Sequence, residues 1–226
     1  MKTVWRLEVP QVGLVVLMFL LAAVTWPTAP ERIPVQWNLQ GEVSRYAGRW
    51  EGLLLLPTLA LFIYLFLLIL PRIDPARANY ARFAGAYTVI RFTLLSLVAL
   101  AYGVIHVWIR GTTIDVGAVI LLLVGITLVV FGAVSSQLRP NWFIGIRTPW
   151  TLTSQESWTQ THRLGGWVFM ILGLGLVGLT MLRTRAALAA WAGIGALGVA
   201  VLVVYSYLVW RDDPHKAPPA GGARGV

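Results

Sequence analysis

His162 and Glu156, six residues apart and next to Arg163, are the pair in this chain that most resembles a reactive centre. A histidine and a carboxylate can trade a proton or hold a metal. On one helix, however, a six-residue step turns about 120° away from a shared face. No second histidine or carboxylate is near in sequence, and a site needs several converging groups. Ser135, Ser136 and Thr127 carry hydroxyls, but no His or Lys is placed in sequence to activate them. The chain has no cysteine, so disulfides, thiolate metal ligands and a Cys nucleophile are excluded together. The expectation is no catalytic residue, no metal and no cofactor.

Two further groups read as structural first. His106, Arg110 and Asp115 surround a short Gly-Thr-Thr turn, where Asp115 can pair with either base as a local clasp. Arg91 is the one basic residue inside an apolar run, and such charges are functional candidates by default. Its place near the end of its run also allows it to snorkel toward headgroups.

The elements that must position these groups are membrane helices. The chain has 226 residues, of which 58% are hydrophobic and 12% charged. A soluble domain carries about a quarter charged residues. Six apolar runs near 11–26, 52–71, 87–109, 114–138, 164–182 and 187–209 approach the roughly 20 residues needed to cross a bilayer. The first reads as an uncleaved anchor, since Glu8 and Pro10 interrupt its approach and no small-residue cleavage site follows. The expected fold class is an all-α integral membrane protein with six spans, a small extracellular loop domain and an amphipathic cytoplasmic loop helix.

The net charge of +9 is scattered between apolar runs, which argues for anionic lipid headgroups and against nucleic acid. The larger share of Lys and Arg flanks the N-terminus, the second and fourth loops and the C-terminus. The positive-inside rule therefore puts both termini in the cytoplasm of a plasma-membrane protein. Small residues Ala118, Gly125 and Gly132 recur every seven positions, and Ala192, Ala196 and Ala200 every four, as helix-packing faces do.

Two loops are too long and polar to be simple connectors. In the first, 27–50, Ile33, Val35 and Trp37 alternate with polar residues, Asn-Leu-Gln-Gly makes a turn, and Val43 and Tyr46 form a return arm. In the other, 139–163, Arg139-Pro140 stops the fourth span and Thr153-Ser154-Gln155-Glu156 matches a capping box. A surface helix over about 154–163 follows, with Trp158 dipping into the interface and His162 and Arg163 meeting phosphates or a partner.

The 139–163 loop resembles the SdpI-type bacterial immunity protein family. The resemblance rests on Asn141, then Phe143 through Leu152 (with Gly145, Arg147, Pro149 and Trp150), Trp158, Thr161-His162-Arg163 and Gly165-Gly166. The first loop is similar to the domain of unknown function that commonly precedes it, through Pro30, Ile33-Pro34, Trp37-Asn38, Gly41 and Tyr46. One position departs: Gln36 stands where that domain usually has His, so a titrating or metal-binding role there is lost.

The resemblance implies a membrane receptor that binds a secreted, membrane-active toxic peptide and sequesters a cytoplasmic DNA-binding repressor. It implies a signalling motif at Asn141, Gly145, Arg147, Pro149, Trp150, Trp158, His162 and Arg163. It implies a peptide-binding outer face at Pro34, Gln36, Trp37, Asn38, Gly41 and Tyr46. The expected organisation is a two-span unit at 1–86, a four-span SdpI-like unit at 87–210, and a disordered cytoplasmic tail at 211–226. The alternative functions are a transporter or exporter of a peptide or lipid-like molecule and, third, an intramembrane enzyme. Membrane lipid is an expected partner, direct nucleic acid is not, and the oligomeric state is left open.

Overall fold

The computed structural model describes residues 5–38, 41–112, 114–182 and 184–217. Six of its helices are long and apolar enough to cross a membrane. They are α1 (Trp5–Thr25), α2 (Arg49–Ile73), α3 (Ala84–Ile109), α4 (Val116–Ser135), α6 (Gln155–Leu182) and α7 (Arg185–Asp212). A five-residue helix, α5 (Pro149–Thr153), precedes α6. Consecutive spans run in opposite directions, so the bundle has a hairpin end and a motif-loop end. Exposed Leu, Ile, Val and Phe side chains cover the outer faces, as a hydrocarbon solvent demands. The protein is a multi-pass membrane protein.

The expected hairpin forms, with β1 (Ile33–Trp37) antiparallel to β2 (Val43–Ala47). Asn38 accepts from the Glu42 amide through Oδ1 at 2.9 Å, and Gly41 supplies the positive φ of 82° that closes the turn. Ile33 anchors the sheet: its Cβ and Cγ2 fill the space where a Gly52 side chain would begin, 2.8 Å away.

Helices α1, α2 and α3 pack on one another, α4 packs most closely on α6, and α7 lies against α6. Helix α3 bridges the groups through α4. The seven-residue repeat explains the α4–α6 contact. A Cβ on Gly125 would meet the Gly173 carbonyl at 2.8 Å, and one on Gly132 the Gly166 carbonyl at 2.5 Å. Only glycine allows backbones that close. The α7 stripe behaves differently, since Ala192, Ala196 and Ala200 are exposed while Gly195, Gly198 and Leu202 face the bundle. Four-residue spacing marks a helix face without saying which way it points.

Two prolines lie inside α2. Pro57 cannot donate to the Leu53 carbonyl, nor Pro71 to that of Leu67. Tyrosines of α3 fill both vacancies: Tyr102 donates to Leu53 at 2.9 Å, and Tyr87 donates to Leu67.

The expected surface helix over 154–163 is not a separate element. Those residues are the first turns of α6, continuous with the span. The helix start is held by Ser154, whose Oγ accepts from the Ser157 amide at 2.9 Å, rather than by a Thr153–Glu156 box. Glu156 instead accepts from the Gln160 side chain. A reciprocal box does occur one helix earlier, between Thr148 and Thr151 at the start of α5.

The tail also departs from expectation over its first part. Residues 211–212 complete α7, and the Ala217 amide donates to the Thr153 carbonyl at 2.8 Å. Residues 218–226, the rest of the tail expected to be disordered, lie outside the described residues.

Candidate functional site

The motif loop is a folded knot. Asn141 builds its first turn by donating to the Arg139 and Ile144 carbonyls and accepting from the Phe143 and Ile144 amides, all within 3.0 Å. Every polar position of that side chain is used, which is why a buried Asn is tolerated there. The turn is tied to the α2–α3 connection: Asn79 donates to the Pro140 carbonyl, and Asp74 accepts from the Trp142 amide and the Tyr80 hydroxyl.

Gly145 then bends the chain at φ 115°, and a Cβ there would strike His162 Nε2. The bend aims the Ile146 amide at His162 Nε2, 2.9 Å away. On the other side of the ring, Nδ1 lies 2.8 Å from the Trp158 carbonyl. An amide can only donate and a carbonyl can only accept. His162 therefore carries its proton on Nδ1 and accepts on Nε2. Its ring stacks on Trp158 at 4.1 Å, and Trp158 Nε1 donates to the Leu138 carbonyl.

This geometry corrects the expected exposure of two motif residues. Trp158 is 0% and His162 1% exposed, so neither dips into lipid nor meets phosphates. The polar loop had suggested a solvent face, but its polar groups are spent on one another. Arg147 and Arg163 are exposed, as are Trp142, Phe143 and Pro149. Arg147 reaches back to the Trp142 carbonyl at 2.6 Å. Trp150 packs edge-on against Tyr207 of α7.

Helix α7 and the tail close the knot. Ser206 meets Thr148 Oγ1 at 3.0 Å and accepts from Ser157 through its carbonyl at 2.7 Å. Ser154 donates to Asp213, whose other oxygen accepts from the His215 amide at 2.8 Å. The Ser154 hydroxyl, and after it that amide, hold the Asp213 carboxyl below its ordinary range.

At the hairpin end, an apolar groove of about 380 Å³ runs between β1, α3 and α4. Val104, Ile105, Val116, Ile120 and Leu56 line its floor, with Gln36, Trp37 and Asn38 along one side. Three of the six expected outer-face residues thus converge on it. Pro34 and Tyr46 face each other across the hairpin, Tyr46 packs on Trp108 and under Arg32, and Gly41 sits at the tip near Asp115. Asp115 caps α4 by accepting from the Ala118 amide, and His106 Nδ1 lies 3.2 Å from Thr25 Oγ1. Asp115 thus serves as a helix cap, and His106 makes a separate contact with α1.

Arg91 does not snorkel. Its two terminal nitrogens bind the two Glu8 oxygens at 2.8 Å each, with both side chains buried. Tyr64 donates to the same carboxylate at 3.1 Å, and the guanidinium lies over the Tyr64 and Tyr87 rings. The missed signal was Glu8 itself, a lone acid at the start of one span against a lone base in another. Among the described residues no cluster of three His, Asp or Glu could hold a metal.

Residues 137–208 match the SdpI/YfhL protein family, and residues 13–61 match a domain of unknown function, DUF1648. Over these stretches the chain is similar to an SdpI domain preceded by a DUF1648 unit. The matched stretches hold the motif knot in one case and the hairpin in the other. The immunity protein SdpI of Bacillus subtilis (strain 168) is 26% identical over 160 residues, covering 71% of this chain and 74% of that protein. No solved structure matches the chain. These matches support a membrane immunity function.

Proposed function

We propose that the protein confers immunity to a secreted, membrane-active peptide by binding it at the hairpin end. The observation that carries this reading is the apolar groove beside β1, in a chain similar to the SdpI family. Apolar walls with a few polar groups on one side suit one face of an amphipathic peptide. Gln36, exposed beside the groove, offers both donor and acceptor to its backbone. In this reading the hairpin faces outside and the motif loop faces the cytoplasm, as the distribution of basic residues favours.

The motif loop then serves as the signalling surface. Asn141, Gly145, Pro149, Trp150, Trp158 and His162 form its rigid frame. Arg147 and Arg163, with Trp142 and Phe143, supply what a cytoplasmic repressor could touch. The close glycine packing of α4 on α6 links the groove to that surface, because α4 lines the groove and α6 carries the motif histidine. A peptide can shift this unit only by binding two arrangements of it unequally.

The test uses sensitive bacteria expressing the chain, challenged with a panel of synthetic membrane-active peptides and followed with a membrane-potential dye. Protection that Val104→Trp abolishes, with protein still in the membrane, supports the proposal. Killing equal to the vector control across the panel sinks it. Energy-dependent peptide expulsion from inverted vesicles would favour the exporter instead.

A further inference from the structure

A second recess, of about 350 Å³, opens where the hairpin ends of α1 and α3 meet. Val24, Thr25, Thr28, His106, Ile109 and Arg110 line it, and none of the six is acidic. It shares no lining residue with the groove beside β1. His106 is 4% exposed, and its Nε2 has no hydrogen-bond partner among the described residues. A buried, unsatisfied ring nitrogen is costly, and it calls for a group not accounted for by the chain. Arg110 is exposed and forms no ion pair among the described residues.

We propose that this recess seats the phosphate of a phospholipid headgroup. A guanidinium matches phosphate oxygens through its planar fork of donors. The Thr28 hydroxyl, 3.3 Å from the Thr25 carbonyl, can turn to add a donor, while the Thr25 hydroxyl, 3.2 Å from His106 Nδ1, can donate there and leave the ring proton on Nε2 for the phosphate. The walls favour a lipid over a free anion. Val24 is 75% exposed and Ile109 immediately precedes Arg110 in the recess lining, so an acyl chain has apolar side chains to follow. Trp26 and Trp108 flank the recess in sequence, as residues of the headgroup layer do. Because both leaflets contain phospholipid, the inference does not depend on orientation or on peptide binding.

The experiment is native mass spectrometry of the full chain released from detergent after supplying phosphatidylglycerol, diacylglycerol or inorganic phosphate. The expected result is one retained phosphatidylglycerol, no retained diacylglycerol, and retention roughly tenfold weaker in the Arg110→Gln, Thr28→Val variant. Arg32→Gln removes an equal charge elsewhere at the hairpin end and should leave retention unchanged. Equal retention by the Arg110→Gln, Thr28→Val variant would overturn the site. Displacement of the lipid by millimolar phosphate would overturn the headgroup as its source and leave the free anion as occupant.

Discussion

The hydroxyl of Tyr102 donates to the carbonyl of Leu53, the acceptor that Pro57, four residues later, leaves empty. Tyr87 does the same for Leu67 and Pro71. In a bilayer no water stands ready to fill such a vacancy, so a helix with two internal prolines needs donors from a neighbour. Helix α3 provides both, which ties α2 to it at two heights.

This relationship predicts a conditional mutant. Tyr102→Phe removes one oxygen and leaves the Leu53 carbonyl unsatisfied, at a cost of about 1–3 kcal/mol. In a Pro57→Ala background the helix amide returns, and the same change should cost much less. Unfolding of the four proteins in mixed micelles measures the coupling. Equal costs in both backgrounds would mean that the hydroxyl does not act by filling the vacancy Pro57 leaves.

A second expectation concerns acid. Asp213 has its carboxyl held below the ordinary range by Ser154 and the His215 amide. A group with a lowered folded pKa contributes its full stabilisation above the ordinary carboxylate range. That contribution is lost as pH falls through the lowered value. The contacts at stake join the tail to the motif loop, so local release of residues 213–217 should precede unfolding. The chain has no cysteine, so a spin label at Ala217→Cys reports this directly. Mobility should rise on acidification in the parent and be high at all pH values in Asp213→Asn.

The third expectation tests the fixed tautomer of His162. His162→Ala strands the part-buried Ile146 amide and removes the ring stacked on Trp158, costing about 1 kcal/mol or more for the amide alone. Gly145→Ala should loosen the same bend, because its Cβ strikes the ring and its φ of 115° suits glycine. Proteolysis at exposed Arg147 should quicken in both variants. If cleavage stays as slow as in the parent, the loop does not depend on this histidine.

What could be read from the amino acids followed from repeated patterns. Six apolar runs specified the spans, alternation around Trp37 specified the hairpin, and the spacing of Gly125 and Gly132 specified the tight helix contact. Trp158 and His162 lie in surroundings that the sequence did not suggest. Polarity in the loop around Trp158 looked like contact with water, whereas hydrogen bonds within the protein satisfy the same groups equally well. Nor does helical period say where a helix meets its neighbour, which is why α7's alanines faced the wrong way. Contacts such as Ser154 with Asp213, or Tyr102 with Leu53, join residues about 50 or more positions apart and leave no local trace.

Glu8 and Arg91 offer the most stringent test of the bundle. Each alone would be costly in an apolar interior, and together they neutralise each other through two 2.8 Å hydrogen bonds. Removing one partner should destabilise the protein by about 3–5 kcal/mol, since it strands a buried charge. Glu8→Gln should be the milder single change because it keeps one acceptor for the guanidinium. The double change Glu8→Leu, Arg91→Leu should recover most of the loss, because two apolar side chains replace two desolvated ions. Unfolding of the parent, both single variants and the double variant in the same detergent gives the coupling energy. A double variant as unstable as the sum of the singles would show that the pair's neighbours, rather than the stranded charge, determine the cost. The rings of Tyr64 and Tyr87 against Arg91 would then be the next residues to change.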